Sequence, residues 1–453
     1  MISNNQEMTE RLLPFLATGI RTAADIQQRF GCSQPTVSRI ITLNSDRIFI
    51  IGRARSRRYT RLRDVRGLGG EFPVYKIDSD GNAHQLGILF AVAQDEYCWR
   101  PAGGQESLFK SLPWFLADLR PEGFVGRSFV RQLHQELSLP ERSIDWNEDH
   151  VLTALARRGE DCMGNLVVGQ ESVGRYLRMA HDLPPPVRMG DIPAAYQRLA
   201  QAALDGQPVG SSAGGEQPKF TAFVERDGTA RHVLVKFSPS VGTVEGRRWA
   251  DLLVCEHHAL RIVQEAGIPA AGSHIVEAGG RLFLEVERFD RVGRNGREPI
   301  ISLRAVDNEF YGHQDNWVNA ANRMEQDGRL AAADAGAMRW LAAFGALIAN
   351  SDQHFGNISL VMKEGSRRFD LAPAYDVLPM LYRPVDGTAP NRVFTPPVAS
   401  PGAPREWETA LRWAGVFWDR VRDDARISEG FRRICAENCG LVQALKSGPR
   451  LVI

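Results

Sequence analysis

Cysteine is scarce in this chain: Cys32, Cys98, Cys162, Cys255, Cys435 and Cys439 are scattered over 453 residues. Only Cys435 and Cys439 fall close together, at i, i+4 spacing with no second ligand pair nearby. That excludes a disulfide-stapled scaffold and makes zinc an unexpected ligand. No run approaches the ~18 uninterrupted apolar residues of a membrane span. The opening Met-Ile-Ser-Asn-Asn-Gln-Glu has neither a basic nor an apolar signal region, so reduced thiols in a cytoplasmic protein with no membrane partner are expected. A dominant charge is missing too: 55 Lys+Arg against 54 Asp+Glu gives +1, which excludes a uniformly basic nucleic-acid coat and an acidic tail protein. What is present is an ordinary globular composition, long enough for two to four domains at roughly 100–200 residues each.

Lysine is absent from residues 1–66, which hold twelve arginines and five acids, a net +7 that leaves −6 for the rest. The partition points to a separate basic module. Met8 to Leu16 reads as a short amphipathic helix whose second half Pro14 puts in doubt. Thr22-Ala-Ala-Asp25 offers a capped start for a helix ending at Gly31, and Ser33 begins another in which Val37, Ile40 and Ile41 repeat at helical spacing. Asp46–Ile51, an arginine-bearing turn and Arg57–Arg63 follow as two strands. The whole reads as a winged helix-turn-helix, with Ser33 to Thr42 as recognition helix. Ser33, Gln34, Thr36 and Arg39 are then the base- and phosphate-facing candidates on that helix, and Arg53, Arg55, Arg57 and Arg58 those on the wing. A packing module with a solvated charged face is the plainer alternative.

From Gly67 short strands and turns take over: 72–77 and 84–92 form a hairpin, Pro113–Leu137 is more helical, and a helix runs from Asp149 to Gly159. Asp182–Met189, with three prolines, is the best interdomain linker.

Three later segments carry chemistry. Arg231-His-Val-Leu-Val-Lys236 is a strand pattern ending in a lysine, suited to aiming an ammonium at nucleotide phosphates, though edge-strand lysines are common. A helix from Val244 to Ala266 carries Glu256, which could pair with it. Asn350-Ser-Asp352-Gln-His354-Phe-Gly-Asn357, delivered by an apolar helix (about Leu330–Ile348), has the Asp-x4-Asn spacing of a kinase catalytic loop. A strand pair then leads to Phe369-Asp-Leu-Ala-Pro-Ala-Tyr-Asp376, where Asp376 could join Asn357 on one Mg²⁺. Upstream, Gly210-Ser-Ser-Ala-Gly-Gly-Glu-Gln-Pro-Lys219 lacks the Walker pattern but could present backbone N–H groups to phosphates.

On Ser212-Ala-Gly-Gly-Glu-Gln-Pro-Lys219, Val286-Glu-Arg-Phe-Asp-Arg291, Asn350–Asn357 and Leu371-Ala-Pro-Ala-Tyr-Asp-Val377, the chain resembles the HipA-type serine/threonine kinases of bacterial toxin–antitoxin systems. The likeness runs from about Phe72 to the C-terminus and includes Leu112–Glu122 and Gly159-Glu-Asp-Cys-Met-Gly164. It implies Asp352 as catalytic base and Asn357 with Asp376 as Mg²⁺ ligands. ATP would be bound by Ser212, Gly214, Gly215, Gln217, Lys219, Lys236 and His354, with Glu287 and Phe289 meeting adenine through backbone groups. Autophosphorylation is implied at Ser212, with Ser211 one alignment step away.

The expected fold is α+β: a two-lobed protein-kinase-like (HipA-type) fold behind an N-terminal winged helix-turn-helix. The expected divisions are 1–68 for the DNA-binding module, 69–185 for a β-rich subdomain and 186–453 for the kinase core, with its hinge near 287–291. Expected partners are a protein with a Ser/Thr acceptor, DNA and a HipB-like antitoxin, with a homodimer open. A transcriptional regulator with a nucleotide-sensing or small-molecule-kinase C-terminal region is the competing reading.

Overall fold

The computed structural model describes residues 2–206, 217–363, 366–399 and 402–447. At the N-terminus, helices Ile2–Ala17, Ala23–Phe30 and Gln34–Leu43 surround a core of Leu12, Leu13, Leu16, Ile26, Val37, Ile40 and Ile41. The first helix passes through Pro14, where the sequence alone put its continuation in doubt. Pro14 and Glu10 are both exposed, so the carbonyl that loses its donor is solvated. Burial of the three leucines, about 1.5–3 kcal/mol each, outweighs a proline cost of about 3 kcal/mol. A reciprocal capping box opens the second helix: Thr22 N donates to Asp25 Oδ2 (2.7 Å) and Asp25 N to Thr22 Oγ1 (3.2 Å). Gly31, at φ 60°, closes it in the left-handed region. Strands Arg21–Thr22, Arg58–Thr60 and Phe49–Ile51 form a small antiparallel sheet in that spatial order.

This sheet is fastened to the next. The Phe49 and Phe90 rings lie 4.4 Å apart, and Arg100 donates to the Ile50 carbonyl (3.2 Å) while its guanidinium covers both rings. Gly52 N donates to Glu106 (2.6 Å). The second sheet is antiparallel throughout, in the order Ser107–Phe109, Tyr97–Pro101, Ala83–Ala91, Glu71–Ile77, Leu166–Val168. Leu133 and Val130 of helix Gly123–Leu137 and Leu152 and Leu155 of helix Glu148–Arg158 share one core with Phe72, Val74 and Leu89 of this sheet.

A third sheet has the order Ser273–Ala278, Arg281–Glu287, Thr229–Phe237, Lys219–Arg226, Val187–Arg188. Its central hairpin turns on Asp227-Gly228, both at positive φ (50° and 74°), as a two-residue connection requires. The proline-rich stretch read as a linker ends in Val187–Arg188, a strand parallel to Val224–Glu225. One sheet face (Phe220, Val233, Val235, Phe237, Phe283) packs on Tyr196 and Ala200 of helix Ile192–Leu204. The other face meets helix Val244–Glu265, which joins the largest core. That core includes helices Trp317–Gln326, Ala332–Leu347, Pro404–Asp423 and Glu429–Ser447. A strand trio, Ile300–Ser302, Ser359–Met362 and Phe369–Leu371, lies against it.

Candidate active site

Strand alternation sets the first element. Val233, Val235 and Phe237 face the aromatic core, so Lys236 faces the helix Val244–Glu265, directly opposite Lys219 on the next strand. Twelve residues into that helix, Glu256 is fully buried, and Lys236 Nζ donates to both of its carboxylate oxygens at 2.6 and 2.8 Å. Asp376 completes the cluster by accepting from the same ammonium. Burial alone would lower the Lys236 pKa, yet Asp376 and Glu256 outweigh it and hold the ammonium charged. Burial works to raise Asp376, but Lys236 and then Lys219 keep it below the usual carboxylate range. Burial drives Glu256 upward against the pull of Lys236. Asp376 sits at φ 55°, a left-handed conformation that costs a non-glycine residue about 1–3 kcal/mol.

The second element is the loop after helix Ala332–Leu347. Ala349, at φ 61°, turns the chain, and buried Asn350 donates its N–H to the Gly345 carbonyl (2.8 Å) and accepts from Asp352 N (3.0 Å). Gln353 reaches back to the Ala342 carbonyl (3.1 Å) over Gly345, where a Cβ would lie 2.4 Å from its nitrogen. Trp317 Nε1 donates to the His354 carbonyl (3.1 Å). Within this frame Asn357 Nδ2 donates to the Asp352 carbonyl at 2.8 Å, which leaves Asn357 Oδ1 as the atom able to take a cation. The Asp352 carboxylate is 44% exposed and 3.9 Å from His354 Nε2, accessible to a substrate. Tyr375, next to Asp376, donates to the Gly356 carbonyl (2.9 Å), hydrogen-bonds Ser359 Oγ (2.8 Å) and packs its ring 5.6 Å from Phe289.

Lys236, Glu256 and Asp376 therefore converge, and Asp352 with Asn357 form one fixed turn. Glu287 directs its carboxylate to Arg231 (3.6 Å) at the surface, while its N–H donates to the Gly272 carbonyl (2.8 Å). Gln217 Nε2 is buried with no partner among the described residues. Ser211, Ser212, Gly214 and Gly215 lie outside the described residues.

The 287–291 segment holds ion pairs that the spacing arguments did not register. Asp290 accepts from Arg288 (2.8 Å), Arg291 (2.6 Å) and Gly164 N (3.0 Å), and Arg291 reaches Asp161 (3.0 Å). The two arginines hold Asp290 well below its ordinary pKa against the effect of burial. The Gly159–Gly164 stretch, just before strand Leu166–Val168, thus ties the second sheet to Asp290 and Arg291. The available signal was an Arg-x-Asp-Arg run between strands. Asp118, likewise missed, accepts from Ser302 N (2.5 Å) and Oγ (2.7 Å).

At the N-terminus Ser33, Gln34 and Arg39 are exposed, Thr36 is half-buried and bonded to Ser33 (3.0 Å), and Arg53, Arg57 and Arg58 are exposed. Arg55 lies in the turn Ala54–Ser56, and its side chain is outside the described set.

Residues 68–177 match the family described as YjjJ-like toxin, middle domain, and residues 211–437 the HipA-like C-terminal domain. A solved complex of HipA with HipB and operator DNA from Shewanella oneidensis MR-1 superposes with TM-score 0.50 at 18% identity, over 82% of this chain and 96% of that one. The fold is thus that of the HipA kinases. The chain is 38% identical over 440 residues to Toxin YjjJ of Escherichia coli (strain K12), covering 95% of this chain and 96% of that protein. It belongs to the HipA family of toxins, near YjjJ. Among the described residues no helix is long and apolar enough to cross a membrane.

Proposed function

We propose that the chain is a cytoplasmic protein serine/threonine kinase with growth-inhibiting action, using ATP and Mg²⁺. The observation that carries the reading is the convergence of Lys236 on Glu256 and Asp376 beside the Asp352–Asn357 turn. Asp376 already meets positive charge and is held ionised, and Asn357 Oδ1 is left as an oxygen donor, so an oxygen-seeking cation suits the pair. No cluster of three or more His, Cys, Asp or Glu suited to a metal occurs among the described residues. A cation held by so few side chains is completed by phosphate oxygens, the habit of Mg²⁺ on ATP.

Bound Mg²⁺·ATP would supply the γ-phosphoryl group and screen its charge. Lys236 would hold phosphates, Asp352 would accept the acceptor hydroxyl's proton, and the Asn357 tie would keep Asp352 in place. Ser212, Gly214, Gly215, Gln217 and Lys219 would border the phosphates, with His354 near them and Glu287 and Phe289 at the adenine. Autophosphorylation at Ser212, or Ser211, would add charge beside those phosphates and lower activity.

Residues 1–68 are proposed as a winged helix-turn-helix that binds DNA, 69–185 as the β-rich subdomain and 186–453 as the kinase core. The HipA neighbour was solved with HipB and operator DNA, which supports DNA and a HipB-like antitoxin as partners here; a homodimer would suit paired half-sites. Incubation of purified protein and of whole lysate with γ-labelled ATP tests the activity. Labelled protein supports the reading, a labelled small molecule points to a metabolite kinase, and no label leaves a nucleotide-sensing regulator.

A further inference from the structure

Away from the Lys236 centre, three arginines from distant parts of the chain line one cleft of about 310 Å³: Arg247, Arg281 and Arg426. Glu277 is the single acid among the described lining residues, and Asp424 behind the wall pairs with Arg426, which leaves a net +1. Another cleft, about 410 Å³, has the opposite balance, with Asp419, Asp423 and Asp424 against Arg420 and His258.

The cationic cleft opens over Gly279 and Gly280, both at positive φ (56° and 68°). A Cβ on Gly280 would meet nothing within 4 Å, and Val241 N fixes the turn by donating to the Gly280 carbonyl (2.9 Å). Two of the arginines are held in place with donors to spare. Arg281 commits Nη1 to the Ser238 carbonyl (2.9 Å), and Arg426 commits Nε and Nη2 to Asp424 (2.9 and 2.6 Å). Each guanidinium has five N–H donors, and Arg247 makes no side-chain hydrogen bond among the described residues. Pre-positioned forks around an open, net-positive space match a phosphate group in charge and geometry.

We propose that this cleft binds a small phosphorylated metabolite through its phosphate or pyrophosphate group, and that occupancy is sensed at Lys236. The route is short. Ser238, held by Arg281, is two residues beyond Lys236, and Arg247 shares its helix with Glu256. A ligand drawing Arg247 and Arg281 together pulls on both elements whose separation sets the Lys236–Glu256 contact. The sensing half rests on the kinase reading; the binding half does not.

Titration calorimetry on the full-length protein, with inorganic phosphate and pyrophosphate as probes at fixed ionic strength, tests it. The variants Arg247→Glu and Glu277→Gln lie at exposed positions, so both should fold. Pyrophosphate affinity should fall at least tenfold in Arg247→Glu, rise two- to threefold in Glu277→Gln and stay unchanged in Asp352→Asn. Equal affinity in wild type, Arg247→Glu and Glu277→Gln, or no binding at millimolar probe, overturns the site. Where labelled protein forms, saturating pyrophosphate should change the wild-type rate at least twofold and leave Arg247→Glu unaffected. Binding with no change in rate overturns the sensing half alone. Absence of transfer in every protein counts against the kinase reading and leaves the calorimetric result standing.

Discussion

Lys219 and Lys236 stand directly opposite each other on adjacent antiparallel strands, 2% and 3% exposed. Like charges in that relationship destabilise a sheet, and buried ones do so strongly. Glu256 and Asp376 offset them, since both lysines act to lower the pKa of each acid. A fold that keeps four ionised or ionisable side chains together in its interior gives up stability that apolar residues would supply.

Lys236→Met should therefore cost about 3–5 kcal/mol in unfolding free energy, because Glu256 is left buried without its partner. Lys236→Met with Glu256→Leu should recover most of that loss in urea denaturation while nucleotide affinity stays low. Continued loss of stability in the double variant would show that the pair is not what holds the region.

Asp352→Asn should reduce phosphoryl transfer by about 10²–10⁴-fold. Its carboxylate is 44% exposed, so the denaturation midpoint and the affinity for an ATP analogue should stay near wild type. A wild-type rate of transfer from this variant would remove Asp352 from the chemistry.

Phosphopeptide mapping after incubation with ATP should place a modification at Ser212 or Ser211, and Ser212→Asp should lower transfer. Modification confined to other residues would count against the resemblance at this loop.

DNA affinity of the full chain should fall steeply with salt. Replacing Arg53, Arg57 and Arg58 by alanine should reduce the log–log slope by about 0.9 for each DNA phosphate that is no longer neutralised. An unchanged slope in the triple variant would leave the exposed turn as a solvated surface.

His257 is pushed down to about 4, by burial first and then by His258, Arg426, Arg261 and His274, while its Nδ1 stays 2.9 Å from Ser273 Oγ. Its folded-state value lies below the ordinary 6.5, so the unfolded chain takes up the proton first as pH falls. The contribution is complete above about pH 6.5 and is lost progressively toward pH 4, by about 1–3 kcal/mol. His257→Gln should flatten that part of the stability profile measured by urea denaturation at successive pH values.

Asp118→Ala should leave Ser302 N and Oγ without their shared acceptor, at about 1–3 kcal/mol. Faster limited proteolysis between the second sheet and the residues after it would report the loosened joint.

Much of this protein was legible in local pattern. The Thr22–Asp25 box, the strand ending in Lys236, the helix bearing Glu256 and the Asp352–Asn357 spacing are set by backbone period and by hydrogen bonds a few residues long. Asn357 reaches the Asp352 carbonyl only five residues back, so that turn follows from its own residues. Pro14 shows the limit of the same reasoning, because whether a helix survives it depends on what the leucines beside it bury.

Long-range packing supplied the rest. Lys236 meets Asp376 across 140 residues, Asp290 meets Gly164 across 126 and Ser302 meets Asp118 across 184. Side-chain charge and spacing identify candidates for such pairs, but their energies depend on burial, distance and the neighbouring charges, none of which exist until the sheets and helices pack. Taken alone, the amino-acid order specified many of the elements, the side chains each one carries and the family they resemble. Only packing determined that Lys219 and Lys236 share one buried face, because that relation requires two strands in register and a helix to close over them.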